Sequence, residues 1–219
     1  MSEEQYGKVR RRIKIELEPF FDGVRTKEAN YELFKRAFID FQERLFSATD
    51  VVKLIIKGGQ KVGESPRSLP ATIYKLFAYM GIVESLGNAV VDMIVMLLVA
   101  NGRDFHIECR HATPRIKHAV FINDLEDERV PLSAKLNFLK ENGIEELTSN
   151  IDTELRNAIA HLKFQIKNDA IYFKGKQCEK SIWPALNCLT TSLAAVIDLL
   201  WELGKEKGLF SHKAGRDEK

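Results

Sequence analysis

Residues 70–100, PATIYKLFAYMGIVESLGNAVVDMIVMLLVA, constrain this chain more than any other stretch. They are apolar on nearly every side of a helix, so a fold that contains them has to cover them all round. Lys75, Glu84, Asn88 and Asp92 interrupt the run too often for a membrane span, which makes it the expected central helix of a bundle. Asn101-Gly102 is its stop signal. Glu84, Asn88 and Asp92 recur every four residues and so draw one polar line along an apolar cylinder. A buried line of that kind needs hydrogen-bond partners, from neighbouring helices, from water or from a functional side chain.

Around that run the remaining elements read as helices joined by short connections. Residues 1–25 hold a basic cluster at Lys8, Arg10, Arg11, Arg12 and Lys14, which is either a solvated helix face or a contact for RNA phosphates. A long helix is expected over residues 27–57, with Tyr31, Phe34, Phe38, Phe41, Leu45 and Phe46 as core, ended by Gly58-Gly59 and a Gly/Pro-containing loop to residue 70. That loop is no phosphate-binding P-loop, because no Gly-Lys-Ser/Thr follows its glycines. A short helix over residues 133–142 is capped by Gly143. The last long helix, residues 179–204, carries Trp183-Pro184 in its first turn and an apolar stripe from Leu186 through Leu189, Leu193, Val196, Ile197 and Leu200 to Leu203. The expected fold class is therefore all-α, an up-and-down helical bundle of four or five long helices with a short β-hairpin before the last one. Residues 1–70 form an N-terminal helical segment packed on the bundle, 71–206 the bundle itself, and 207–219 a charged, frayed tail.

Chemistry concentrates in residues 147–172, LTSNIDTELRNAIAHLKFQIKNDAIY. Thr148, Ser149 or Asn150 can cap a helix there, Asp152 and Glu154 suit the positive end of its dipole, and the helix closes just after His161. Phe164, Ile166, Ile171 and Phe173 flank Asn168-Asp169 with strand-like alternation, the mark of the hairpin. At about 100° per residue, Ile151, Leu155, Ala158, Ile159 and Leu162 share one apolar arc, while Arg156, Asn157, Ala160 and His161 occupy the opposite one. That second face is polar with a low middle at Ala160, so another helix or a copy of itself can approach closely. The bare spacing Arg-x4-His turns up by chance in roughly one chain in five of this length, and cations near a helix C-terminus are common for dipole reasons alone. Asn157 after the arginine and Ala160 before the histidine make the combination far rarer.

The string Leu155-Arg156-Asn157-Ala158-Ile159-Ala160-His161, near the end of a helical domain, resembles the Arg-x4-6-His signature of the HEPN superfamily. The likeness extends upstream through PLSAKLNFL (residues 131–139) and downstream through the hairpin and last helix, over about the C-terminal two-thirds of the chain. It implies a small helical bundle and, for many members, a metal-independent endoribonuclease. In such an enzyme the nucleophile is the RNA 2′-hydroxyl, so the protein needs a base, an anion stabiliser and in-line positioning. His161 is the candidate general base or acid, because histidine titrates near neutrality. Arg156 is the candidate stabiliser of the transition-state phosphate, and Asn157 orients either His161 or that phosphate. Glu84 or Asn88 facing Arg156 or His161 is the expected support from the central helix. The resemblance also implies a homodimer with a composite cleft, products ending in 2′,3′-cyclic phosphate, and a toxin or defence role with a cognate nucleotidyltransferase-like antitoxin as partner. The alternative from the same resemblance is a non-catalytic module that binds nucleotide, RNA or protein.

A formal net charge of +2 supplies no global field for nucleic acid, so contact with RNA has to come from a local patch. His106, Cys109, His111 and His118 offer ligand types for zinc without the paired spacing of a zinc knuckle, and no metal or cofactor is assigned. Three widely spaced cysteines, Cys109, Cys178 and Cys188, and a charged start without an apolar leader point to reduced thiols and a cytoplasmic location, with no membrane partner.

Overall fold

The computed structural model describes residues 3–62, 69–108, 116–118, 125, 130–168 and 170–210. It is mostly helical, with two small antiparallel sheets among the described residues. Helix α1 spans Glu3–Thr26 and α2 spans Tyr31–Val62; α3, Leu69–Ile82, continues through a π-helical turn, Val83–Gly87, into α4, Asn88–Ala100. Helices α5 (Leu132–Glu141), α6 (Glu145–Ser149) and α7 (Thr153–Ala160) are short, and α8 is Cys178–Glu206.

The apolar run is covered as its composition demands: every side chain of α4 from Ala89 to Leu98 is buried. The long face of α2 lies on it through Phe34, Phe38 and Phe41, all fully buried, and α1 packs against α8 through Ile13, Leu17, Phe21 and Val24. One continuous core joins all of these helices. By length and composition alone Leu69–Ala100 and Lys180–Glu206 could each cross a membrane, but 72% of the most apolar window of the first is buried inside the fold. Contact between α8 and α2 is close enough to exclude a methyl group at Gly204, whose Cβ would fall 2.3 Å from the Phe38 ring.

Several boundaries differ from the sequence reading. Helix α2 runs through Gly58-Gly59 to Val62 instead of stopping there. A Cβ built on either glycine would lie 3.1 Å from the Tyr74 ring, so their lack of a side chain serves packing inside the helix rather than chain termination. Phe46 is not core; it is 70% exposed, because it stands off the buried face that Phe34, Phe38 and Phe41 share. Pro184 sits in the second turn of α8, which begins at Cys178, and not in the first.

Where a two-stranded hairpin is expected, three strands occur: β3 (Gln165–Lys167), β4 (Ala170–Phe173) and β5 (Lys176–Gln177) pair antiparallel in that order, with Ile166 opposite Ile171. Ile171 is buried under α8 and Ile166 is 65% exposed, so only the middle strand faces the core. Asp169 lies outside the described residues. A second antiparallel pair, β1 (His106–Glu108) with β2 (Ile116–His118), sets His106 opposite His118. Cys109 and His111, the other two residues weighed as metal ligands, lie outside the described residues, as does the tail from residue 211.

Candidate functional site

The helix that carries the Arg-x4-His spacing starts later than its serines and threonines suggest. Residues Glu145–Ser149 make the separate helix α6, and the cap of α7 is Asp152, whose side chain accepts the Leu155 N–H at 2.8 Å. Asp152 wins because its carboxylate meets both the free N–H and the positive end of the dipole. Its own N–H donates to the Tyr79 hydroxyl at 2.8 Å, which fastens the start of α7 to the buried face of α3. Burial pushes the Tyr79 phenol up to about 12, ahead of the opposing Asp152 N–H hydrogen bond. Asn150 completes the anchorage by donating to Ser192 on α8 at 2.8 Å.

Leu155, Ala158 and Ile159 point into the core, which turns the opposite side of α7 outward. Arg156 uses Nε to donate to the Glu84 carboxylate and Nη1 to donate to the Asn157 side-chain oxygen at 2.7 Å. Glu84 belongs to the π-helical turn, where the Asn88 N–H reaches back five residues to the Val83 carbonyl. Asn88 also donates through its side chain to the Glu84 backbone oxygen at 3.0 Å and to its carboxylate at 3.4 Å. Glu84 therefore meets the guanidinium of Arg156, not the imidazole of His161.

One helical turn on, His161 is the C-cap of α7 and is exposed. Leu162 then takes a positive φ of 51°, its N–H donating to the Ile159 oxygen at 3.2 Å while the Lys163 N–H donates to Ala158 at 2.8 Å. This is a Schellman ending with leucine in the position glycine favours. It removes Leu162 from the apolar arc predicted for it: the side chain is 71% exposed.

Inside the rim formed by Glu84, Arg156 and Asn157 lies a cavity of about 620 Å³. Its inner wall is charged. Asp92, 1% exposed, accepts from Arg44 Nη2 at 2.8 Å and lies 2.7 Å from the ammonium of Lys135. Burial raises the Asp92 carboxyl above its ordinary range, outweighing the opposite pull of Lys135 and Arg44. The polar line on the central helix thus divides: Glu84 and Asn88 serve the motif helix, and Asp92 serves α2 and α5.

The structure brings Arg156, Asn157, Glu84 and Asn88 together around one cavity and leaves His161 outside its wall. Arg10 and Arg12 are held in ion pairs with Glu202 and Glu146, at 2.5 and 3.3 Å, and Arg11 is exposed on the same helix. Sequence reasoning missed Arg44, Lys135 and Tyr79, and set Asp152 at the start of the motif helix without making it the cap. The available signal for Lys135 was a lysine set among the apolar residues of PLSAKLNFL, where it is drawn inward to the buried Asp92 carboxylate of an apolar helix. Among the described residues no group of three or more His, Cys, Asp or Glu side chains is arranged to hold a metal ion. No family model, no curated protein and no solved structure matches the chain.

Proposed function

We propose that this chain is a metal-independent endoribonuclease of the HEPN type, built on an up-and-down helical bundle and cleaving single-stranded RNA in a composite cleft between two copies. The observation that carries the reading is the fixed orientation of Arg156: Glu84 and Asn157 hold its guanidinium on the outward face of the same short helix whose end presents His161 to solvent. A phosphate arriving on that face meets a preorganised planar donor. His161 takes the proton of the RNA 2′-hydroxyl as its oxygen attacks phosphorus; the bond to the 5′-oxygen breaks, and that oxygen is protonated by the His161 of the second copy. The products are a 2′,3′-cyclic phosphate and a 5′-hydroxyl.

Ala160, exposed between Arg156 and His161, supports close approach of the second copy. Biologically the reading fits a cytoplasmic toxin or defence effector restrained by an antitoxin protein. A second reading, a binding module without turnover, is favoured by one observation: within a single copy His161 lies off the cavity that Arg156 and Asn157 line. Incubating wild type and His161→Ala with labelled single-stranded RNA in EDTA separates the two. Cleavage by wild type alone, leaving cyclic phosphate ends, supports the enzyme; RNA retained intact by both supports the binding module.

A further inference from the structure

Helices α3 and α4 form the run that this fold has to cover, and the cover has one gap. From Leu69 to Ala100 the exposed residues are Pro70, Ile73, Phe77 and Glu84, and every other position is buried or half-buried. Spacings of three, four and seven residues set these four along one face of the run. Ile73 and Phe77 are 38% and 48% exposed, so two large apolar side chains meet water on the most apolar stretch of the chain. The strip carries no charge until it reaches Glu84, about two helical turns and 10 Å beyond Phe77. There the Glu84 carboxylate holds the guanidinium of Arg156. An aromatic ring and an oriented cation thus stand in line on one face.

We infer that Phe77 is a stacking platform for an unpaired base of the substrate RNA, beside the phosphate that Arg156 receives, with Ile73 continuing the apolar strip along the strand. This deepens the ribonuclease reading and rests on it for the place of the phosphate. A ligand that suits the face is flat and apolar at one point and anionic at the next, which describes a single-stranded nucleic acid. Charge alone does not hold such a strand on this protein. The formal net charge is +2, and Arg10 and Arg12 of the basic cluster are occupied by Glu202 and Glu146. Stacking supplies affinity without a field, and it accepts any sequence because every base has a π-face.

The test is a double-mutant cycle between protein and RNA. The full chain, as the non-cutting His161→Ala form, is titrated with a fluorescein-labelled single-stranded hexanucleotide, and with versions in which one base at a time is replaced by an abasic sugar. Fluorescence polarisation gives each dissociation constant. The same set is run with Phe77→Ala, Phe77→Leu and Phe77→Tyr in that background, each checked for folding by circular dichroism. One abasic position should weaken binding by about tenfold, the worth of one base on an aromatic ring. In Phe77→Ala the loss of that same base should cost nothing further. Phe77→Leu, apolar without a ring, should behave as Phe77→Ala, and Phe77→Tyr should keep the affinity of Phe77. Cleavage by the chain with His161 intact is scored separately. Cleavage with no abasic position coupled to Phe77 overturns the platform and leaves the ribonuclease reading standing; coupling without cleavage supports the platform and overturns the ribonuclease reading. Full affinity in Phe77→Leu, or no binding of RNA by any form, overturns the inference. So does a dimer that dissociates in Phe77→Ala on sedimentation without abasic coupling, which gives the strip to a second copy of the chain.

Discussion

Glu84 and Asp92 stand eight residues apart on one continuous helical run, and each holds an arginine, yet the two pairs obey different physics. Asp92 is 1% exposed and carries Lys135 as well as Arg44, so its charge has no solvent to fall back on. Glu84 and Arg156 are 38% and 32% exposed, and water competes for both. An ion pair of the second kind contributes about 0–1 kcal/mol to stability. One of the first kind costs several times that when a single partner is removed, because the other charge is stranded. The inner pair therefore governs whether the wall exists, and the outer pair governs what it can do.

The largest effect expected from this contrast is on Asp92. Asp92→Ala should destabilise the fold by about 3–5 kcal/mol in urea titration, since Lys135 loses its partner among the described residues. The double variant Asp92→Asn/Lys135→Met should recover most of that loss. A cost under about 1 kcal/mol for Asp92→Ala would remove the distinction between the two pairs.

Next in size is Tyr79, the other buried polar anchor of the site. Its phenol holds its proton up to about 12 in the fold against a value of 10.0 in the unfolded chain. The folded state thus favours the protonated form, and the stability this confers is present below pH 10 and lost as pH rises towards 12. At 1.36 kcal/mol per unit the loss is about 2–3 kcal/mol. Tyr79→Phe should flatten that alkaline decline, while at neutral pH it costs about 1 kcal/mol by leaving the Asp152 N–H without its acceptor. Tyr6, also pushed up to about 12, first by burial and then by its hydrogen bond to Asp198, adds a decline of the same sign. Tyr6→Phe, followed across the same pH range, isolates that share.

How much of this was legible in the sequence follows from the same division between burial and exposure. The central helix could be read because an all-round apolar run has few places to go; the four-residue spacing marked Glu84 and Asn88 as a polar line that could face Arg156 or His161, and which of them does so, Glu84 with Arg156, only the packed helices show. Asp92 was seen as a polar group in need of partners, but Lys135 and Arg44 come from α5 and α2, and no local periodicity links residues so far apart. The start of α7 was misread because Thr148, Ser149, Asn150 and Asp152 are all good caps; the choice fell to Asp152 through Tyr79, a contact 73 residues away. Leu162 defeated the wheel because a Schellman ending breaks helical phase within one residue.

Glu84→Ala tests the exposed end of the comparison. Stability should change by at most about 1 kcal/mol, since solvent screens the pair. Under the proposed chemistry, cleavage should fall by about tenfold or more, because Arg156 loses the group that orients it. Glu84→Gln, which keeps an acceptor for Arg156 Nε, should restore part of the rate. A rate unchanged in both variants would mean that the orientation of Arg156 is immaterial.

The smallest expected change in stability belongs to the residue with the largest expected change in function. His161 caps α7 through its backbone N–H, which donates to the Asn157 oxygen at 3.0 Å whatever the side chain, and its ring is exposed. His161→Ala should therefore unfold within about 0.5 kcal/mol of wild type, the ordinary range for surface substitutions. Under the proposed chemistry the same variant has no group to take the 2′-hydroxyl proton, and cleavage of single-stranded RNA should fall below detection in a fixed-time gel assay. Mixing it with Arg156→Ala sharpens the point: a composite cleft made from two copies pairs the intact arginine of one with the intact histidine of the other, so the mixture should regain part of the activity that neither variant shows alone. Full activity in His161→Ala by itself would take the chemistry away from the exposed end of the helix and return it to the charged wall behind Arg156.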